Sequence, residues 1–260
     1  MSGFRESGVQ DWAVVTGCRG PVGRSLVSRL QGAGFHVLGT DHLHGQDGDP
    51  VPTNAGRGTE FRYLPVDLSS PAAIEVGITE IISQIPSITV LVNNAAITNP
   101  LERPAAERSV AEEFSLAFQV NAIAPYLLSI GLMPLLEQSS LPSIVNVASI
   151  YGLVGPVPSL YRQTSMGVSP AYAASKGALV QITRYLATVM APRVRVNAVA
   201  PGGIAREQPA TFAERYEERT PLGRMGSESD VAGAVRWLAG GDARYVTGQI
   251  IAVDGGWTAW

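Results

Sequence analysis

The sequence predicts an α/β fold: one doubly wound parallel sheet with helices on both faces. Short apolar runs alternate along the 260 residues with longer segments of helical period, as in a parallel sheet that is covered on both sides. Hydrophobic residues make up 45% and charged residues only 16%, which suits strands buried on both faces. A chain of this length can form one core, so we expect a single domain over residues 1–260.

Seven candidate strands follow one another. They are Ala13–Val15, Val37–Gly39, Arg62–Val66, Val90–Asn93, Ile144–Ala148, Val194–Val199 and Gln249–Val253. The main helical segments between them are Val22–Gln31, Ser109–Leu136, Ala171–Met190 and Glu228–Leu238. Glycines and prolines disfavour a regular helix between His42 and Glu60, so we predict a surface loop there, with a binding flap as the alternative.

Composition limits the partners and the compartment. A net charge of -3 and a pI near 5.7 give no basic surface for nucleic acid. The apolar stretch Ala122–Leu136 is short for a membrane span and is interrupted by Pro125 and Pro134, so we interpret it as a buried helix. The single cysteine, Cys18, excludes an internal disulfide, and the N-terminus lacks the apolar core of a signal peptide. We therefore expect a cytoplasmic protein.

Two asparagines and two histidines are not expected to take part in catalysis or to bind metal. Asn94 and Asn146 are expected to bond backbone groups between strands, since buried amides normally do so. His42 and His44 have a ligand-like spacing, but no cysteine or carboxylate cluster accompanies them, so no metal is predicted.

A glycine-rich turn follows the first strand. Thr16 ends that strand, and Gly17-Cys18-Arg19-Gly20-Pro21-Val22-Gly23 leads directly into a helix. Glycines let the backbone approach a pyrophosphate, and the free N–H groups at the helix N-terminus attract the anion. The turn predicts a Rossmann-like cofactor half over about residues 12–148, followed by a substrate half over about 149–260.

Asp41 stands at the end of the second strand, 18 residues after Gly23. A carboxylate there can accept both ribose hydroxyls of NAD, and its charge repels the 2′-phosphate of NADP. NAD is therefore the favoured cofactor. NADP stays open because the guanidinium of Arg19 could pair with that phosphate.

A tyrosine and the sole lysine of the chain form a candidate catalytic pair. Of the 19 basic residues only Lys176 is a lysine, and Tyr172 precedes it by four positions, on the same face of a helix. A free phenol has a pKa of about 10, which a nearby ammonium and the positive nicotinamide ring would lower. Ser149, at a strand end, offers a hydroxyl for a carbonyl oxygen. These residues predict the interconversion of a secondary alcohol and a ketone.

Taken together, the motifs resemble the short-chain dehydrogenase/reductase family, in its compact single-domain form, over nearly the whole chain. The motifs are Thr16 to Gly23, Val66-Asp67-Leu68, Asn93-Asn94-Ala95-Ala96, Val120-Asn121, Ser149, Tyr172-Ala173-Ala174-Ser175-Lys176, Asn197-Ala198-Val199-Ala200-Pro201-Gly202 and Asp254-Gly255-Gly256.

The resemblance implies further roles. Asn121 would kink its helix and anchor a water between Lys176 and solvent, and would complete the catalytic set with Ser149 and Tyr172. The predicted cofactor contacts are Gly17, Arg19, Val22, Gly23, Asp41, Asp67, Leu68, Asn93, Ala95, Tyr172, Lys176, Pro201 and Ile204. Among these, Asp67 and Leu68 would border the adenine, Asn93 and Ala95 the ribose, and Pro201 to Ile204 the nicotinamide.

Three features depart from the usual pattern of the family. The glycine turn reads TGxxGxxG instead of TGxxxGxG, a spacing that resembles a larger, sugar-nucleotide-modifying branch. Arg206 stands where many relatives have a threonine, which makes an anionic substrate conceivable. Ser149 and Tyr172 are 23 positions apart, further than usual, and Gly155–Pro170 forms the excess.

We call Gly155–Pro170 the lid, because it connects Ser149 to Tyr172 and both must converge on one carbonyl. Its glycines and prolines disfavour continuous helix, and Tyr161, Arg162 and Gln163 offer a ring and donors for a hydroxylated or anionic substrate. A surface insertion is the alternative. The segment also resembles that of relatives in carbohydrate pathways, which favours a sugar or polyol.

Two other functions stay open: a sugar-nucleotide epimerase or dehydratase, and a non-catalytic dinucleotide-binding protein. The chain lacks the extra substrate domain of the first, and intact Ser149, Tyr172 and Lys176 argue against the second. The two indoles of Trp257 and Trp260 favour burial in a homo-oligomer, a dimer or tetramer, or packing over the substrate mouth.

Overall fold

Seven strands form one sheet in which all neighbouring strands run parallel. The structure, a computed structural model, describes residues 11–42, 58–98 and 109–260. The strands are β1 (Trp12–Thr16), β2 (His36–Asp41), β3 (Phe61–Pro65), β4 (Val90–Asn93), β5 (Ser143–Val147), β6 (Arg195–Pro201) and β7 (Ile250–Val253). Each predicted strand is confirmed within two residues of its bounds.

The strand order places the ligand crevice. It is β3-β2-β1-β4-β5-β6-β7, so the chain winds outward from β1 in one direction and from β4 in the other. In such sheets, ligands bind outside the carboxyl ends of the strands where the winding reverses. The turn after β1 and the segment after β4 border that crevice.

The helices cover both faces of the sheet. They are α1 (Pro21–Gly32), α2 (Pro71–Gln84), α3 (Val110–Phe118), α4 (Ala124–Gly131), α5 (Met133–Leu136), α6 (Pro170–Val189), α7 (Ala210–Arg219) and α8 (Glu228–Ala239). Side chains alternate along the strands: Val14 joins one core with α2, α4 and α6, whereas Ala13 and Val15 join a second core with α1 and α8. This confirms the predicted doubly wound sheet.

The predicted helix Ser109–Leu136 is confirmed from Val110 to Gly131, where a π-helical turn at Gln119–Ile123 joins α3 to α4. The prediction is wrong beyond that point, because the helix breaks at Leu132 before α5. Pro134 lies in the first two positions of α5, where a missing N–H leaves no helical hydrogen bond unmade. Pro125 follows the π-helical turn inside the helical run, and there its missing N–H leaves one helical hydrogen bond unmade.

The helical run Val110–Gly131 is long and apolar enough to meet the length and composition of a membrane span. In the fold, its two halves pack against α6 and α2, and Val120, Ala124 and Leu128 belong to the larger core. This packing identifies it as a core helix.

The predicted loop between His42 and Glu60 falls largely on residues 43–57, outside the described residues, and His44 lies there too. Among the residues that the structure describes, no group of three or more His, Cys, Asp or Glu is placed to hold a metal ion.

Candidate active site

Ser149, Tyr172 and Lys176 meet at the carboxyl edge of the sheet. Ser149 follows β5 and is buried, and Tyr172 and Lys176 lie one turn apart near the start of α6. The Ser149 side chain lies close enough to the Tyr172 phenol to lower its pKa, against the larger effect of burial. Lys176 Nζ lies 5.8 Å from the centre of the Tyr172 ring. The structure brings the three predicted residues together.

Lys176 is held by the end of β5. Its side chain is 2% exposed, and Nζ donates to the carbonyl oxygen of Val147 at 2.6 Å. Burial lowers the pKa of Lys176 to about 7, because the interior disfavours the ammonium. The lysine therefore changes charge near neutrality.

The sequence predicts a lowered pKa for Tyr172, but in the structure its pKa is raised. Burial raises the pKa of Tyr172, and the Ser149 side chain offsets this only in part. Lys176 is a weak source of positive charge near neutrality because its own pKa is lowered. A readily ionised phenol therefore requires a further positive charge beside the ring.

Asn121 joins the segment after β4 to α6. Its Oδ1 accepts from the Ile97 N–H at 2.8 Å, and its Nδ2 donates to the Ile97 carbonyl and the Ser175 hydroxyl, each at 3.0 Å. Ser175 is the neighbour of Lys176 in α6. The predicted kink is present as the π turn, and the water that would link Lys176 to solvent stays a prediction.

We call Thr16–Gly23 the glycine cradle. Gly17 adopts a φ of +64°, and a Cβ on it would stand 2.8 Å from Ala95 Cα. A Cβ on Gly23 would stand 2.0 Å from the carbonyl oxygen of Gly17. Gly20 is different, because its Cβ would meet nothing closer than 3.6 Å. Two of the three glycines are therefore sterically required.

Asp41 ties the end of β2 to the cradle. Its Oδ2 accepts from the Arg19 N–H and its Oδ1 from the His42 N–H, both at 3.0 Å. The Arg19 guanidinium lies 5.8 Å from the centre of the Tyr63 ring, near Asp41. A close backbone turn, a helix N-terminus and a carboxylate at the next strand end fit a dinucleotide.

The side chain of Cys18, a residue of the cradle, is directed into the core beneath it. It is fully buried, and a Cβ on Gly39 of β2 would stand 2.8 Å from its Sγ. Burial, followed by the nearby charge of Asp41, raises the pKa of the thiol to about 12. The cysteine acts here as a small packing residue.

Besides Lys176, two predicted cofactor contacts have buried side chains, Leu68 and Asn93. Leu68 packs in the larger core, and Asn93 donates from Nδ2 to Asn146 Oδ1 at 2.8 Å and to the Ser129 hydroxyl at 3.4 Å. Only the backbone of Leu68 and Asn93 is left to meet a ligand.

The remaining predicted contacts lie around the crevice. The Ala95 N–H donates to Thr16 Oγ1 at 3.0 Å, and Asp67 caps the turn after β3 by accepting from Ser69. Val22 stands in the first turn of α1, Pro201 ends β6, and Ile204 pairs with Gly226. Their cofactor roles stay predictions.

Asn94 behaves as expected and Asn146 does not. Asn94 Nδ2 donates to the carbonyls of Thr16 and Gly17 at 2.9 and 3.0 Å, joining β4 to the cradle. Asn146 instead bonds side chains: its Nδ2 donates to Thr183 Oγ1 at 2.9 Å and its Oδ1 accepts from Asn93. The expected backbone role of Asn146 is wrong, because α6 brings Thr183 within reach of β5.

Tyr216 is a site residue that the sequence analysis missed. Its hydroxyl accepts from the Gly203 N–H at 2.6 Å, which fixes the loop after β6. Burial raises the pKa of Tyr216 to about 12. The spacing of Phe212 and Tyr216, four positions apart, could have predicted a helix with one buried face here. That helix, α7, is absent from the helices predicted from the sequence.

The Arg206 side chain extends from the loop after β6 to Glu228 in α8. Its guanidinium pairs with Glu228 at 3.6 Å, and its N–H donates to Gln208 Oε1 at 2.6 Å. The anionic substrate that Arg206 made conceivable therefore has to compete with Glu228.

The lid contains one short 3₁₀ turn, Pro158–Tyr161, and no continuous helix, as predicted. The Tyr161 hydroxyl bonds the Tyr151 hydroxyl, and its ring centre lies 5.4 Å from that of Phe212 in α7. The Tyr151 N–H donates to Ser149 Oγ at 3.2 Å. One side of the lid is thereby connected to the catalytic residues.

Comparison with known proteins gives consistent results. The family model described as enoyl-(acyl carrier protein) reductase matches residues 19–258. An uncharacterized short-chain type dehydrogenase/reductase of Sinorhizobium fredii is 34% identical over 253 residues, and the match covers 94% of this chain but 43% of that protein. The 2-dehydro-3-deoxy-D-gluconate 5-dehydrogenase of Bacillus subtilis is 32% identical over 253 residues, with 94% and 93% covered.

Among solved structures, a short chain dehydrogenase from Leptospira borgpetersenii with bound NAD+ superimposes with a TM-score of 0.81 at 30% identity. The superposition covers 96% of this chain and 93% of that one.

Proposed function

The chain belongs to the short-chain dehydrogenase/reductase family of oxidoreductases, and from this premise we propose that it interconverts a secondary alcohol and a ketone with a nicotinamide cofactor. The observation that carries the proposal is the cluster of Ser149, Tyr172 and Lys176 at the carboxyl edge of the sheet, with Lys176 Nζ buried 5.8 Å from the centre of the Tyr172 ring.

Each of the three residues has one task. Tyr172 gives its phenolic proton to the carbonyl oxygen of a ketone, or takes a proton from the alcohol in the reverse direction. Ser149 donates a hydrogen bond to the same oxygen and holds it within reach of the phenol. In its protonated form Lys176 supports the phenolate electrostatically, and Asn121 positions the segment of α6 that carries it. When bound, a nicotinamide supplies the hydride acceptor or donor.

A Tyr172→Phe variant tests the proposal. Turnover should fall by at least about 100-fold, because the proton donor is lost, while the affinity for NAD stays within a few-fold. Tyr245→Phe is the matched control, since Tyr245 is 99% exposed and far from these contacts in the chain. Steady-state kinetics and calorimetric titration of NAD give both values. Near-normal turnover in Tyr172→Phe would end the proposal.

We favour NAD over NADP. Asp41 stands beside the cradle with its carboxylate fixed by two backbone N–H groups, and its remaining lone pairs suit ribose hydroxyls. The relative from Leptospira was solved with NAD+. NADP remains the alternative through Arg19, whose backbone N–H bonds Asp41 and whose guanidinium lies over the Tyr63 ring.

A small hydroxylated substrate is the proposed class. The hydroxyls of Tyr161 in the lid and of Tyr151 beside it suit a polyol or sugar derivative, and the name of the relative from Bacillus subtilis includes a sugar acid. The glycine spacing that favoured an epimerase carries less weight, because Gly20 makes no close contact. A net change in cofactor absorbance would separate the two, since an epimerase returns its hydride.

We further propose a cytoplasmic homo-oligomer, a dimer or tetramer. Apolar side chains stand exposed on the outer faces of α4 and α6: Ile130, Tyr185 and Val189 are 43%, 53% and 56% exposed. Trp260 is also 74% exposed, whereas Trp257 is buried within the chain, so the expectation of two exposed indoles is wrong for Trp257. Light scattering of the purified protein gives the oligomeric state.

A further inference from the structure

A groove of about 660 Å³ lies between the lid and α7, on the side of the lid that includes Ser159 and Leu160. Three of its lining residues are arginines, Arg162, Arg215 and Arg219, and one is an acid, Glu218. Among the described residues, no carboxylate forms an ion pair with any of the three guanidinium groups. The groove is therefore a cationic surface in a protein whose net charge is negative.

Arg219 has a buried donor without a partner. Its guanidinium lies 4.9 Å from the centre of the Trp257 ring, and Trp257 is 2% exposed. Among the described residues, nothing accepts a hydrogen bond from Arg219 Nε, which is shielded from solvent. In the part of the chain that the structure describes, no hydrogen-bond acceptor contacts the other guanidinium nitrogens of Arg219 either, so their N–H donors remain for a ligand in the groove.

Arg215 connects the groove to the lid backbone. Its Nη1 donates to the Arg162 carbonyl at 2.6 Å and stands 3.5 Å from the Leu160 carbonyl. Both contacts use the same nitrogen, which leaves Nε and Nη2 of Arg215 for a further acceptor. The Arg162 side chain is exposed at the same groove.

The groove adjoins the catalytic residues through one turn of backbone. Leu160 lines the groove, and the next residue, Tyr161, bonds Tyr151 beside Ser149. A substrate that occupies both places has to pass this short 3₁₀ turn, with its carbonyl at Ser149 and a second polar group in the groove.

We propose that this groove is a subsite for an anionic group, a carboxylate or phosphate, carried by the substrate. The proposal rests on the oxidoreductase function proposed above and narrows its substrate to hydroxy or keto acids and phosphates. Guanidinium groups bind such anions through paired, charge-assisted N–H donors. The hydroxyls of an uncharged polyol would form weaker hydrogen bonds with the same donors.

The first test is binding of inorganic phosphate to the enzyme saturated with NAD, so that the pyrophosphate site is filled. Calorimetric titration is run on the wild type and on the Arg162→Gln and Arg219→Gln variants, with Arg236→Gln as control because Arg236 is an exposed arginine of α8 outside the groove. Each groove variant should weaken binding by about 10-fold, and the control by less than about 2-fold. Equal affinities in all four proteins, or no binding to the wild type, would overturn the subsite.

The second test compares keto acids with their methyl esters. Arg162→Gln should raise KM for the acid by about 10-fold and leave KM for the ester nearly unchanged. If acid and ester respond equally while phosphate still binds in the groove, the anion is a separate ligand and the substrate assignment is wrong. If no alcohol or ketone is turned over at all, the oxidoreductase function fails, and the phosphate titration still decides the groove. Arg162 carries the kinetic test because its exposed side chain is not required for folding.

Discussion

The glycine cradle and the lid flank one crevice and are built by opposite means. The cradle depends on side chains that are absent: at Gly17 and Gly23 a single Cβ would collide with backbone atoms. The lid depends on side chains that are present, since Tyr161 packs on Phe212 and bonds Tyr151. An invariant ligand group such as a pyrophosphate suits the rigid backbone of the first, and a variable substrate suits the exchangeable side chains of the second.

The two constructions predict opposite sensitivities to substitution. Adding one methyl group to a glycine of the cradle should weaken cofactor binding, whereas removing one hydroxyl from the lid should change only the kinetics toward the substrate. Three variants test this contrast.

The largest effect is expected at the cradle. Gly23→Ala should weaken NAD binding by about 30-fold to 100-fold, because the new Cβ must displace the Gly17 carbonyl and with it the turn. Gly32→Ala is the matched control, since a Cβ there meets nothing within 4 Å and the helix should gain up to about 1 kcal/mol. Calorimetry and thermal unfolding measure both. Wild-type NAD affinity in Gly23→Ala would contradict the steric account.

An intermediate effect is expected where the cradle meets β2. Asp41→Ala should shift the ratio of kcat/KM for NAD to that for NADP by about 10-fold towards NADP. Asp41→Asn serves as control, because it keeps an acceptor for the Arg19 N–H while removing the charge. If charge decides the preference, both variants shift the ratio. An unchanged ratio would show that another residue selects the cofactor.

The smallest effect is expected at the lid. Tyr161→Phe should lower kcat/KM for the substrate by about 5-fold, with NAD affinity unchanged and a stability loss near 1 kcal/mol, because one hydroxyl contact is lost while the ring stays on Phe212. Tyr245→Phe is again the control. Unchanged substrate kinetics would make the lid a surface insertion. Alanine at Tyr161 is less informative, since losing the ring packed on Phe212 should also lower the thermal midpoint.

The strands, the cradle and the catalytic cluster could be predicted because their signals are local. Apolar runs of strand length, glycines at a strand-to-helix turn and the four-residue spacing of Tyr172 and Lys176 are all visible within a few positions. Parallel strands with buried faces then bring their carboxyl ends to one edge, which places Ser149 beside Tyr172.

The rest depends on contacts between distant segments. Tyr216 reaches Gly203 only because α7 folds back over the loop after β6, and Asn146 meets Thr183 only because α6 lies over β5. The direction of the pKa shift of Tyr172 also depends on distant segments, because burial by them raises the pKa. The sequence shows the neighbouring lysine but not the depth of burial.

The buried thiol beneath the cradle is a chemical reporter that the chain already contains. Cys18 is the single cysteine, and neither solvent nor a thiol reagent can reach its Sγ in the folded protein, where its pKa of about 12 also keeps it protonated. Labelling therefore proceeds only through molecules in which β1, the cradle and β2 have separated. The labelling rate therefore measures how often the cofactor half opens locally, and no engineered probe is needed. The same burial means that no reductant is needed to protect this thiol during purification.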